Sequence, residues 1–239
     1  GAWTLEQQAQ AQAAGLWPLG PQPKYVEDVF STYLYQGASS LPPTIVNGID
    51  LAGKGGMVWI KARNGATNQT ITDTVRGPGN EIYTNQTWGN QSYTGTYGIN
   101  SFNANGFSLV GNNGDTNTTA YNYTSWTFRK QPKFFDVVTW TGNSTAGRQI
   151  PHNLGSAPGF VVVKRTSNAN NWICWHRALT STQYIQINNT SEAFSDGGIF
   201  WNSTIPDATN LTLGNDSGVN GSGSTYVAYL FAHNAGGFG

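Results

Sequence analysis

The chain has 239 residues and no net charge, because twelve Lys and Arg balance twelve Asp and Glu. That balance argues against a nucleic-acid binder, whose affinity comes from Lys and Arg neutralising phosphates, and against attraction to an anionic membrane. Charged residues are only 10% and aromatics 13%, so polarity comes from Asn, Thr, Ser and Gln, and the aromatic and β-branched content argues against disorder.

The chain opens with Thr4-Leu5-Glu6-Gln7, the pattern of a capping box at a helix start. Gln7 to Ala14 are good helix formers, and Gly15 with Pro18 supplies a stop. Leu5, Ala9 and Leu16 fall near one face, flanked by Trp3 and Trp17. So short a helix must dock to be stable, either on its own chain or on a partner subunit, which makes Trp3, Leu5, Leu16 and Trp17 the candidate anchor. Pro18, Pro21 and Pro23 then favour an extended linker.

From about residue 25 onward the chain says nearly the same thing twice. Leu51, Gly56, Val58, Lys61, Asn85, Gly111, Asn117, Tyr123 and Phe128 recur 103 positions later as Leu154, Gly159, Val161, Lys164, Asn188, Gly214, Asn220, Tyr226 and Phe231. Upstream the offset is 105, where Phe30 and Gly37 answer Phe135 and Gly142. Such a period exceeds the roughly 20–50 residues of solenoid repeats and suits a small domain with its own core. The division expected is 1–24 for the helix and linker, 25–132 for a first repeat and 133–239 for a second.

Within the first repeat, Phe30 to Tyr35, Met57 to Ile60, Ile82 to Thr84, Phe107 to Val110 and Tyr123 to Phe128 read as short strands between turn-forming Gly, Asn, Ser and Asp. Val137 to Trp140, Phe160 to Val163, Tyr184 to Ile187, Leu211 to Leu213 and Tyr226 to Phe231 repeat the plan. The alternation around Tyr33 and Tyr35 suits a sheet with one buried face, and the continuous apolar runs Met57 to Ile60 and Phe160 to Val163 suit central strands. The fold class expected is all-β: two tandem antiparallel β-sandwiches, jelly-roll-like, preceded by a short N-terminal helix. The link Arg129-Lys130-Gln131-Pro132-Lys133 is so short that the two should stack closely.

Chemistry-bearing motifs are sparse. Asp50 and Asp73 form a distant pair that a glycosidase could use, but their counterparts are Asn153 and His176. Glu27-Asp28 reads as a solvated pair, and His152, His176 and His233 lack metal-ligand spacing. Gly214 to Asn220 carries oxygen ligands but departs from the calcium-loop pattern and reads as a turn. Cys174, the one cysteine, reads as a small buried hydrophobe. No catalytic residue, cofactor or metal ligand is assigned. No stretch approaches the roughly 18 apolar residues of a bilayer span, so no membrane insertion is expected. Asn85-Gln86-Thr87-Trp88 and Tyr93 to Tyr97 set aromatic rings among amides and hydroxyls in loop-like stretches. Trp88, Tyr93 and Tyr97 are therefore candidate glycan contacts, since a pyranose offers an apolar face and a polar rim, beside the plainer reading that these rings anchor a loop.

Phe30 to Tyr35, Asn47 to Leu51, Gly55 to Lys61, Asp73 to Gly77, Asn105 to Leu109, Trp126 to Lys130, Phe134 to Gly142, His152 to Gly155 and Tyr226 to His233 together resemble a repeated β-module of tailed-bacteriophage virion proteins, tail-fibre-like ones among them. The resemblance implies a non-enzymatic structural protein located in the virion. It would be a tail fibre or fibre-base subunit that docks through its N-terminus on tail or capsid subunits, forms a homo-oligomer (a trimer by analogy with fibres) and meets host-surface glycans. A capsid decoration or head-fibre protein is the alternative within that class, and a carbohydrate-binding module is the alternative outside it. Relatives run on into further repeats, so the glycine-rich end Gly236 to Gly239 resembles an inter-repeat linker.

Overall fold

The computed structural model describes Thr4, Glu6, Gln8, residues 25–39 and residues 43–233. The expected anchor residues Trp3, Leu5, Leu16 and Trp17 lie outside the described residues. Of the expected N-terminal helix, Glu6 and Gln8 are described as helical, and the Gln8 amide donates to the Thr4 carbonyl at 2.9 Å.

After a 3-10 turn at Val26–Asp28, the chain is all-β. Glu27 and Asp28 sit in that turn and are exposed, and the Asp28 carboxylate accepts the Tyr25 amide at 3.1 Å. The first half contributes β1 (Phe30–Gln36), β2 (Thr44–Val46), β3 (Gly56–Ala62), β4 (Gln69–Asp73), β5 (Asn80–Tyr83), β6 (Gln91–Ser92), β7 (Gly98–Asn103), β8 (Gly106–Val110) and β9 (Asn122–Arg129). They form a sheet in the order β1-β9-β3-β4-β5-β6 and a smaller one in the order β2-β8-β7, with every pairing antiparallel.

The second half contributes β10 (Phe135–Thr141), β11 (Arg148–Pro151), β12 (Pro158–Arg165), β13 (Ile173–His176), β14 (Gln183–Tyr184), β15 (Phe194–Ser195), β16 (Asn210–Leu213) and β17 (Thr225–Ala232). Its large sheet runs β10-β17-β12-β13, and a bridge between Cys174 and Ile185 leads on to the β14-β15 pair, while β11 pairs with β16. Replacing each strand by its counterpart one repeat earlier reproduces the first-half order, except that β7 has no counterpart strand. Among the described residues no sheet draws strands from both halves.

The apolar runs are explained by burial on both faces. From β3, Val58, Ile60 and Ala62 join Ile45, Ile49, Phe107, Leu109 and Tyr123 in a core made by the first half alone. A second core belongs to the second half and holds Trp140, Val161, Val163, Trp175 and Trp201. Met57 points the other way, into a third core built from both halves: Ile71 and Ile82 on one side, Phe135, Val162, Trp172, Cys174 and Tyr229 on the other. The faces that meet there are equivalent ones. Met57 corresponds to Phe160 and Ile71 to Cys174, and Phe128 touches its own counterpart Phe231 at 5.4 Å between ring centroids. Contact between a residue and its own copy marks an isologous interface, here between two halves of one chain.

The short link is folded tightly onto this contact. The Lys130 ammonium pairs with buried Asp136 at 2.9 Å, and the other Asp136 oxygen accepts the Asn153 amide at 2.7 Å. Two local expectations change. Strand β1 has no fully buried face, since it is the sheet edge and leaves Tyr33 and Leu34 exposed. The expected strand Tyr184 to Ile187 is only two residues long, β14, and starts one residue earlier; Ile185 then makes the isolated bridge to Cys174, and a turn begins at Ile187.

Candidate binding surface

The segment that follows β5, Thr84 to Asn90, is tied at its start to Asn68 and Gln69 of its own half and is held further along by the other half. The Trp172 indole N–H donates to the Tyr83 and Gln86 carbonyls at 3.0 and 3.1 Å. The Lys164 ammonium donates to the Thr87 carbonyl at 3.0 Å and to the Asn170 carbonyl at 2.8 Å. Main-chain bonds of 2.7 Å run from Asn90 to Thr166 and from Asn170 to Thr87. At Gly89 the halves approach so closely that a Cβ would lie 2.6 Å from the Thr166 carbonyl oxygen, which explains why glycine stands there. Lys164 and Trp172 are wholly buried, and burial, helped by the charge of Arg165, pushes the Lys164 pKa down to about 8.

Arg76 fixes the neighbouring turn. Its guanidinium bonds Asp73 at 2.6 Å, the Asn90 side chain at 2.7 Å, the Ile71 carbonyl at 3.2 Å and the Tyr229 hydroxyl at 3.3 Å. Tyr229 in turn donates to Asp73 at 2.8 Å, and the second Asp73 oxygen accepts the Val75 and Arg76 amides. A buried charge is tolerable only with its hydrogen bonds satisfied, and here the second half supplies one of the partners.

On this fixed frame sits a row of rings. Trp88 is 46% exposed and meets Tyr83 edge to face at 5.7 Å; Tyr93 lies close enough to act on the Tyr83 hydroxyl and meets Tyr97 at 5.9 Å. Trp88, Tyr93 and Tyr97, named from the sequence, are thus joined through Tyr83. Sequence reasoning missed Tyr83, since its signal was merely that of a strand residue. Exposed Asn85 and half-buried Gln86, Asn90 and Gln91 border the row. Beneath it the Tyr83 hydroxyl donates to Glu81 at 3.0 Å. Burial raises the Glu81 pKa to about 7, against the lowering effect of that bond. Its other oxygen has no hydrogen-bond partner among the described residues and lies against Gly98, where a Cβ would come within 1.9 Å of it. Glu81 is fully buried, so it supports the row without reaching solvent.

The remaining chemistry-bearing residues are engaged in structure. Asp50 caps a turn through the Gly53 amide at 2.7 Å, and Asp73 is held by Arg76 and Tyr229. His152 bonds the Asp207 carbonyl, and Arg177 contacts His233. In the Gly214 to Asn220 segment, Asp216 accepts the Gly218 amide and buried Asn220 donates to the Gly214 carbonyl, which makes it a turn. Cys174 is buried and its thiol is pushed up to about 12 by burial. Among the described residues no group of three or more His, Cys, Asp or Glu could hold a metal ion, and no helix is long and apolar enough to cross a membrane.

Residues 26–239 match the model of a family described as a domain of unknown function (DUF7483), and the chain belongs to that family. No curated protein and no solved structure matches it.

Proposed function

We propose that the chain is a non-enzymatic structural protein of a tailed-bacteriophage virion, a tail fibre or fibre-base subunit. In this reading residues 25–132 and 133–239 are tandem jelly-roll-like sandwiches, and the helix and linker of residues 1–24 dock on tail or capsid subunits through Trp3, Leu5, Leu16 and Trp17. The observation that carries it is the third core, which welds two copies of one β-scaffold through equivalent faces into a stiff pair. The module resemblance along nearly the whole chain supplies the virion assignment. The low charge suits subunits that associate with one another, and a trimer is the expected oligomer. Deleting residues 1–20 is expected to leave the β-structure folded and abolish incorporation into particles. Truncated protein at normal occupancy in purified virions would sink the proposal. Copy number separates the fibre from a capsid decoration protein: a few to a few dozen per particle against hundreds.

A second reading, compatible with the first, is glycan binding, and the exposed rings of Trp88 and Tyr97, with half-buried Tyr93 and the amide border around them, favour it. Binding to host polysaccharide that is lost in Trp88→Ala would support it, and silence across host glycans would count against it.

A further inference from the structure

Trp59, Lys61, Gln69, Trp126 and Phe128 line a cleft of about 360 Å³ on the outer face of the large first-half sheet. Its inner end meets a smaller apolar pocket of about 140 Å³ between the halves, which shares Trp59 and Gln69 and adds Phe160, Ile187 and Phe231. The 103-residue echo gives the five cleft residues the counterparts Val162, Lys164, Trp172, Tyr229 and Phe231. The first four of these are buried. Cover comes from the first half: Arg76 against Tyr229, and the Tyr83 to Asn90 main chain, whose carbonyls take the Trp172 indole N–H and the Lys164 ammonium.

Among the described residues the reciprocal cover is not made. The second-half segment equivalent to Tyr83–Asn90 is Gln186–Ala193; it reaches only the inner pocket, through Ile187, and Asn189 to Ala193 are exposed. Lys61 keeps the local half of the arrangement, donating to the Gly65 carbonyl at 3.0 Å and to the Thr67 hydroxyl at 3.4 Å, much as Lys164 donates to Asn170. The cross-half carbonyl that Lys164 finds in Thr87 has no equivalent at Lys61. The Trp59 indole N–H is buried without an acceptor among the described residues, and the Trp59 and Trp126 rings stand edge to face at 5.7 Å. Among the described residues, one half of a near-symmetric interface is therefore closed by an irregular main-chain segment, and the same surface on the other half is open.

We infer that this cleft is the docking site for an irregular main-chain segment of a partner polypeptide. The segment presents backbone carbonyls to Lys61 and Gln69 and lays an apolar or aromatic side chain on Trp59 and Trp126. The segment that closes the equivalent surface, Tyr83 to Asn90, is of this kind, and the inference does not depend on the virion assignment.

The test is an NMR titration of the full 239-residue chain with a capped synthetic peptide of Tyr83–Asn90. Saturable shifts of the Trp59 and Trp126 indole N–H signals are expected, with affinity falling by about tenfold or more in Lys61→Met and in Trp126→Ala. Lys61→Met keeps the test decisive if the tryptophan variant does not fold. Three results would overturn the inference: no saturable shift, shifts that the variants leave unchanged, or the same indole shifts produced by chito- or malto-oligosaccharides. A fourth would be movement of those signals on deleting residues 1–24 without peptide, because the chain's own N-terminus would then be the occupant.

Discussion

Glu81 is a carboxyl group for which the fold prefers the proton. Its folded pKa of about 7 stands above the unfolded carboxylate value, so the folded state holds the proton more tightly. Its contribution is fully present below about pH 4.3 and is lost as pH rises through about 7, amounting to roughly 3 kcal/mol at the limit. Melting temperature should therefore fall between pH 5 and pH 8 in the native chain, and Glu81→Gln should flatten that slope; parallel pH profiles would show that Glu81 is not the group responsible. At Tyr229, the change to Phe removes the hydroxyl that donates to Asp73 and faces Arg76. A loss of about 1–3 kcal/mol is expected in urea unfolding, the cost of a partly unsatisfied buried pair. An unchanged midpoint would mean that the ion pair is indifferent to the other half.

At the level of elements, the loop from Thr84 to Asn90 carries Trp88 and owes its shape to residues about 80 positions further along the chain. Trp172→Phe leaves two carbonyls without the indole donor, so the Asn90 and Asn170 amides should exchange with solvent faster while the amides of β9 and β17 keep their protection. Uniform protection across the variant would contradict the claim that Trp172 holds the loop. Strands β2, β4, β6, β7, β11, β13 and β15 were not legible in the sequence, whereas β1, β3, β5, β8 and β9 and their second-half counterparts were. Turn glycines and asparagines bracket them, and both copies must satisfy the same backbone, so Gly56 and Gly159 or Tyr123 and Tyr226 recur in step. Trp88, Tyr93 and Tyr97 were legible as loop aromatics for the same local reason. What holds them was not. Lys164 and Trp172 carry ordinary strand signals, and their importance comes from carbonyls supplied by a distant segment. The Arg76–Tyr229 contact spans 153 residues with no local signature. Asp73 had no partner legible in the sequence, because its spacing said nothing about Arg76 folding back upon it.

Across the whole molecule, contact between the equivalent faces explains why the runs Met57 to Ile60 and Phe160 to Val163 are apolar throughout. Each large sheet covers its own small sheet on one face and meets its counterpart on the other. Unfolding one half would expose the apolar face of the other, so the pair should unfold as a unit. Tryptophan fluorescence and far-ultraviolet circular dichroism should give one coincident transition in urea; two separated transitions would mean that the shared core contributes little. A stiff pair of equivalent modules suits a part that bears position in an assembly, and this is the substance of the virion proposal. Its most direct test is an electron cryo-microscopy map of virus particles purified from cells that express this chain with a label at its N-terminus. The account predicts paired β-domains projecting from the tail or its base with the label at the particle surface. Particles that lack the chain altogether would contradict it.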